Sequence, residues 1–256
     1  MTAFSRTLSA MLLLAVAEPG FAAGVEQQDF SVILPSPPPP GSPGALADEE
    51  IYKTTRALKG SPRWDMAAND ANLKPDAMLR DFSCSTGLAL DETKAPHLAA
   101  LLKALIAETK PVTRGEKEHF RRARPFVGND LPTCVPHKEN SKDDYAYPSG
   151  HATVGWAGAL LLAHLVPERS ALIMRRGREI GESRVVCGVH WSSDVWAGFM
   201  NGSVMYDRFE TTHGTEPLFT EARKEIAALK ADGTVPDQAR CAAEEAATGS
   251  PLTGGQ

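Results

Sequence analysis

An apolar run from residue 154 to residue 166, entered through Pro148-Ser-Gly-His151 and stopped near Pro167, constrains the fold more than any other stretch. It is shorter than the roughly 20 apolar residues that span a bilayer and is broken by His164, so it reads as a helix buried in a core. The turn that opens it places a helix N-terminus, with its unpaired backbone N–H groups, beside Ser149, Gly150 and His151. That end of the helix favours an anion.

The remaining segments supply more helices. Leu98, Leu101, Leu102, Leu105 and Ile106 recur at the spacing of one helix face, which predicts a helix over 95–109 ended by Lys110-Pro111. Thr113, with Glu116 three residues on, then reads as the capping box of a separate helix over 114–123, closed by Pro125. Further helical patterns cover 47–58, 64–73, 75–82, 168–183, 193–210 and 216–231, while short apolar runs at 32–34 and 185–189 are the only stretches with strand character. The fold class expected is all-α, a single-domain helical bundle.

Residues outside this body have different chemistry. Arg6 before the apolar run 8–17, with Gly20 and Ala22 beyond it, reads as a secretory signal over residues 1–22. Residues 23–44 form an arm whose consecutive prolines, 35–43, permit neither helix nor sheet ladder and suit a segment wrapped over the surface. The helical domain is placed at 45–235, and 236–256 reads as a polar tail. After signal cleavage no membrane attachment is expected, and the location is periplasmic or secreted.

Four cysteines in an exported chain permit two disulfides in three pairings. Cys134 and Cys187 each precede a candidate site segment, which favours that pair and leaves Cys84 with Cys241. No zinc-type spacing is present. The net charge of −5 argues against a nucleic-acid footprint, and the cluster Arg121-Arg122-Ala-Arg124 is too small to reverse it. Asn201-Gly-Ser203 matches a glycosylation sequon but falls within an expected helix and reads as chance.

The chemistry lies in three segments. Lys117 and Arg124, seven positions apart, would project from one helix face, and two converging cations suit a phosphoryl group. Ser149 offers a hydroxyl, Gly150 lets backbone approach a ligand, and their N–H groups can join the anion site. His151 is placed to protonate a leaving alkoxide. His190 and Asp194, four residues apart, would pair so that the carboxylate fixes the tautomer and leaves one ring nitrogen to attack phosphorus, with Arg184 as a third cation.

The ordered set Lys117-x6-Arg124-Pro125, Pro148-Ser-Gly-His151 and Ser183-Arg184-x5-His190-x3-Asp194 resembles the three-part signature of the phosphatidic-acid-phosphatase type 2 superfamily. Together with the export signal, proline-rich arm and Val-Cys-Gly-Val-His-Trp, nearly all of the mature chain is similar to bacterial class A nonspecific acid phosphatases. One departure, Tyr145-Ala-Tyr-Pro-Ser-Gly-His-Ala152 for the usual Gly-Ser-Tyr-Pro-Ser-Gly-His-Thr, bears on substrate preference more than on activity.

The resemblance implies the helical bundle of that superfamily and hydrolysis of small phosphomonoesters without a metal or other cofactor. It also implies His190 as nucleophile, Asp194 as its orienting group and His151 as general acid, with Lys117, Arg124, Ser149, Gly150 and Arg184 holding the phosphoryl oxygens. Phosphate transfer to alcohols and a homo-oligomeric state remain open. Three rivals share parts of this inventory. A vanadate-dependent haloperoxidase would use the same pocket and oxidise halide. A metal hydrolase would draw on His119, His137, His151, His164 or His190 and fail in chelator. An exported phosphate-binding protein would bind without turnover.

Overall fold

Proline stands in the first turn of five helices, where its missing N–H costs nothing and its fixed φ suits the helix. These are α1 (Pro43–Thr55), α2 (Pro62–Asn69), α3 (Pro75–Thr86), α4 (Pro96–Phe120) and α8 (Pro217–Asp232). Ser42 and Ser61 cap the first two, each accepting a backbone N–H at 3.3 Å. The others are α5 (Gly150–Leu165), α6 (Ser170–Val186), α7 (Ser192–His213) and α9 (Gln238–Ala247). The computed structural model describes residues 29–136 and 145–248, and no strand occurs among them. The expected signal and His137 lie outside the described residues.

Helix α5 is the axis. Leu161 and Leu162 are fully buried, joining the α4 stripe of Leu98, Leu101, Leu102 and Leu105 and the α8 residues Phe219, Ala222 and Ile226 in the main core. Trimming one such leucine to alanine typically costs about 2–5 kcal/mol. On its other sides α5 meets α6 and α7 through small residues. A Cβ on Gly177 of α6 would stand 2.4 Å from the Ala159 side chain, and one on Gly198 of α7 would stand 2.7 Å from the Ser149 carbonyl oxygen. These approaches bring the start of α5, the end of α6 and the start of α7 to one place.

The expected break at Lys110-Pro111 does not occur, and α4 runs through Pro111 to Phe120. Ala107, whose carbonyl would have received the missing N–H, is exposed, so water can satisfy it. The buried stripe meanwhile continues through Thr109, Thr113 and Glu116. Thr113 is therefore no N-cap; its hydroxyl donates back to the carbonyls of Thr109 and Lys110, both at 3.1 Å. Packing of the continuous stripe outweighs the local proline preference.

Both expected disulfides are formed, Cys84–Cys241 and Cys134–Cys187. The first fastens α9, within the segment expected to be a polar tail, onto α3. That helix buries only Ala247, so ion pairs from Glu245 to Arg175 and from Glu244 to Arg176 hold it together with the disulfide. The described part of the proline-rich arm touches the body. Leu34 is buried with Tyr147 and Ala197, and the Tyr147 hydroxyl donates to the Pro35 carbonyl at 2.5 Å.

Candidate active site

Ser149 is the N-cap of α5, its Oγ accepting the Ala152 N–H at 3.3 Å. Its own N–H donates to the Asp194 carbonyl at 2.9 Å, which ties the Pro-Ser-Gly-His turn to the first turn of α7. The expectation that this N–H serves an anion is thereby corrected, because it is spent on backbone. The turn still offers the Ser149 O–H proton and the N–H of Gly150, where the nearest atom to a side chain would be Thr113 Oγ1 at 3.9 Å.

Arg184 sits in the last turn of α6 and is 5% exposed. The carbonyls that end this helix are received by Arg56, which donates to Val185 and Val186 at 2.7 and 2.6 Å. The chain then turns at Gly188, φ +74°, where a Cβ would collide with the Arg56 guanidinium. That turn delivers His190. Its Nδ1–H donates to Asp194 Oδ2 at 3.3 Å, and Nε2 lies 3.0 Å from Arg124 NH1, so the lone pair of a neutral imidazole faces the cations.

Lys117 and Arg124 do converge, but not along a helix. The helix ends at Phe120, Arg121 takes left-handed φ of 49°, and residues 122–124 belong to neither helix nor strand. Exposure then alternates, Arg121 and Ala123 outward, Arg122 and Arg124 inward. Lys117 Nζ donates to the Tyr145 carbonyl, and Arg124 to the Val189 carbonyl at 2.7 Å.

Arg122 is the site residue that sequence reasoning missed. It bridges two buried carboxylates, Asp194 at 2.6 Å and Asp48 at 2.8 Å, with its guanidinium over the Trp191 ring. Asp48 in turn binds the Ser192 hydroxyl and Ser193 N–H at the start of α7. Only the contrast between Arg122 and its outward neighbours could have flagged it, and that contrast depends on recognising that the helix stops at Phe120.

Electrostatics follow from this crowding of cations. Burial, then Arg124, Lys117 and Arg184, holds the His190 imidazole well below its ordinary range. Burial and Arg184 do the same to His151. Arg184 itself is pushed down to about 10 by burial and by Arg124. Its Nε is buried without a hydrogen-bond partner, and no carboxylate among the described residues lies within ion-pair distance. Burial raises Asp194 to about 6, against the pull of Arg122. A buried guanidinium without an acid is costly unless an anion joins it.

A helical body with two histidines set among Lys117, Arg124 and Arg184 defines a class, and comparison agrees. Residues 97–206, from the start of α4 into α7, match the PAP2 superfamily. An acid phosphatase of Zymomonas mobilis is 40% identical over 224 residues, 86% of this chain and 83% of that one. Nonspecific acid phosphatases of Salmonella typhimurium (39% over 194 residues; 74% and 78% covered) and Providencia stuartii (35% over 204; 79% and 82%) are also similar. The chain belongs to the nonspecific acid phosphatase family of the PAP2 superfamily.

Proposed function

We propose that this acid phosphatase hydrolyses small phosphate monoesters through a covalent phosphohistidine on His190. The observation that carries the reading is Arg184, buried beside the His190–Asp194 pair with no carboxylate of the described residues within ion-pair distance. The phosphoryl oxygens take up the charge of Arg184, Arg124 and Lys117, assisted by the Gly150 N–H and Ser149 hydroxyl. Arg124 exchanges its bond to His190 Nε2 for one to phosphate, which frees the lone pair.

Nε2 then attacks phosphorus as the ester P–O bond breaks. His151, protonated, gives its proton to the departing alkoxide, which leaves as the alcohol. In the second step neutral His151 takes a proton from water, whose oxygen attacks phosphorus. The P–N bond breaks, phosphate leaves, and both histidines return to their starting states. Asp194 stabilises the charge on the His190 ring throughout.

The three cations that depress His151 are offset by a bound phosphate dianion, so its pKa rises on substrate binding and the general acid is charged at acidic pH. Activity is therefore bell-shaped with an acidic optimum. The mature protein is read as exported, the region before residue 23 serving as signal, a reading the two disulfides support. No helix among the described residues is long and apolar enough to cross a membrane.

The test is chemical trapping. Mixing the enzyme with a ³²P-labelled monoester and quenching in alkali is expected to leave acid-labile label on the wild type and none on His190→Ala. Undiminished labelling of that variant would sink the mechanism.

A further inference from the structure

We propose that Asp70 is a positioning residue for His151, fixing which ring nitrogen delivers the proton. The inference rests on the general-acid reading of His151 given above. His151 Nε2 lies 3.1 Å from the carbonyl oxygen of Ala71. A carbonyl only accepts, so the contact holds a proton on Nε2 in both the neutral and the charged ring. The nitrogen that gains and loses the catalytic proton is then Nδ1. The opposite tautomer would set a lone pair against the carbonyl and turn the ring away.

Ala71 belongs to the short link between α2 and α3, which backbone bonds tie to the end of α2, from the Ala71 N–H to the Ala68 carbonyl at 3.3 Å and from the Asn72 N–H to the Asn69 carbonyl at 3.0 Å. The residue before it adds side-chain anchors. Asp70 is 1% exposed and takes a two-pronged contact from Arg176, NH2 to Oδ1 at 2.5 Å and NH1 to Oδ2 at 3.1 Å. It also accepts the Ser183 hydroxyl at 2.5 Å, and that oxygen receives Arg63 at 2.9 Å. Ser183 immediately precedes Arg184. One carboxylate therefore locks the carbonyl that sets His151 to the stretch of α6 that carries a phosphate-facing cation. Arg176 is steadied from the far side by Glu244 of α9 at 3.2 Å.

A purely structural ion pair would look similar in stability measurements, so the readout is leaving-group dependence. An alkyl phosphate needs its leaving oxygen protonated, whereas p-nitrophenol departs readily as the anion. Values of kcat/KM are compared for p-nitrophenyl phosphate and a simple alkyl phosphate in wild type, His151→Ala, Asp70→Asn and Ser183→Ala, each checked by thermal melting. General acids contribute about 10²–10⁴-fold. His151→Ala is expected to lose that factor selectively on the alkyl ester, and Asp70→Asn to lose at least about tenfold more on the alkyl than on the aryl ester.

Equal losses on both esters in Asp70→Asn would overturn the inference while leaving His151 as the acid. If Asp70→Asn does not fold, Ser183→Ala, which removes one of the anchors, is judged by the same ratio; damage to Arg184 alone would lower both esters together. Equal losses in His151→Ala would remove the general-acid reading itself, and the inference with it.

Discussion

At the scale of single residues, the carboxylate paired with His190 is held in a balance that Arg122 decides. Burial alone drives Asp194 toward the neutral acid, and Arg122 with the Trp191 N–H opposes it, leaving the group at about 6. Replacing Arg122 by methionine removes the largest opposing influence, so Asp194 becomes protonated over a wider range of pH. Its hydrogen-bonded hold on the His190 ring then weakens as pH falls. The expected outcome for Arg122→Met is an acid limb of the kcat/KM profile moved to higher pH, with little change well above that limb. A limb unmoved in the variant would show that Asp194 owes its charge to other partners.

At the scale of elements, the site depends on how closely α7 approaches the start of α5. Gly198→Ala places a methyl 2.7 Å from both the Ala152 Cβ and the Ser149 carbonyl oxygen. Overpacking of this kind typically costs about 1–3 kcal/mol. Here the displaced groups are the turn and the helix that carry His151 and Asp194, so kcat is expected to fall along with the denaturation midpoint. Loss of stability with full kcat would mean that the site relaxes independently of the packing.

Most helices were legible from periodicity, because the Leu98–Ile106 stripe and the 154–166 run each bury what the pattern says they bury. The cations were legible as types but not as geometry. Lys117 and Arg124 meet because Arg121 ends the helix, a left-handed residue that no local signal marks. Pro111 misled, since its lost bond falls on the exposed side. The last helix, α9, escaped because its stability comes from Cys241, Glu244 and Glu245 reaching partners far away in the chain, and such contacts leave no periodic trace. Asn201 of the sequon is buried, and its amide donates to Glu116 at 2.7 Å.

At the scale of the whole molecule, buried acids tilt stability toward low pH. Burial raises Glu116 to about 8 and Asp81 to about 6, in addition to Asp194. Between the unfolded and folded pKa of each group the native state binds the extra proton, so stability is greatest below the unfolded value and declines as pH rises through the folded one. Asp48 works in the opposite sense: burial opposes its charge, but Ser192, Ser193 and Arg122 keep it below the usual range, and its contribution disappears only in stronger acid. Glu116 matters most, since it is raised furthest, and its Oε1 is buried without a partner among the described residues. Its share of the slope is on the order of 1.4 kcal/mol per pH unit within its window. Glu116→Gln, which mimics the protonated acid, is expected to melt at nearly the wild-type temperature at pH 5 and above it at pH 8. Parallel melting curves against pH in the two proteins would rule this out.

The proline-rich arm has a consequence for the order in which the molecule assembles. Pro35 meets Tyr147 across 112 residues, and the surface that receives it is complete only when Phe120, Tyr147 and Ala197 have come together from three separate parts of the chain. Because its contacts close a long loop, the arm is expected to dock after its seat exists. Its prolines have few conformations to surrender, so a segment that docks last also docks with a small loss of chain entropy.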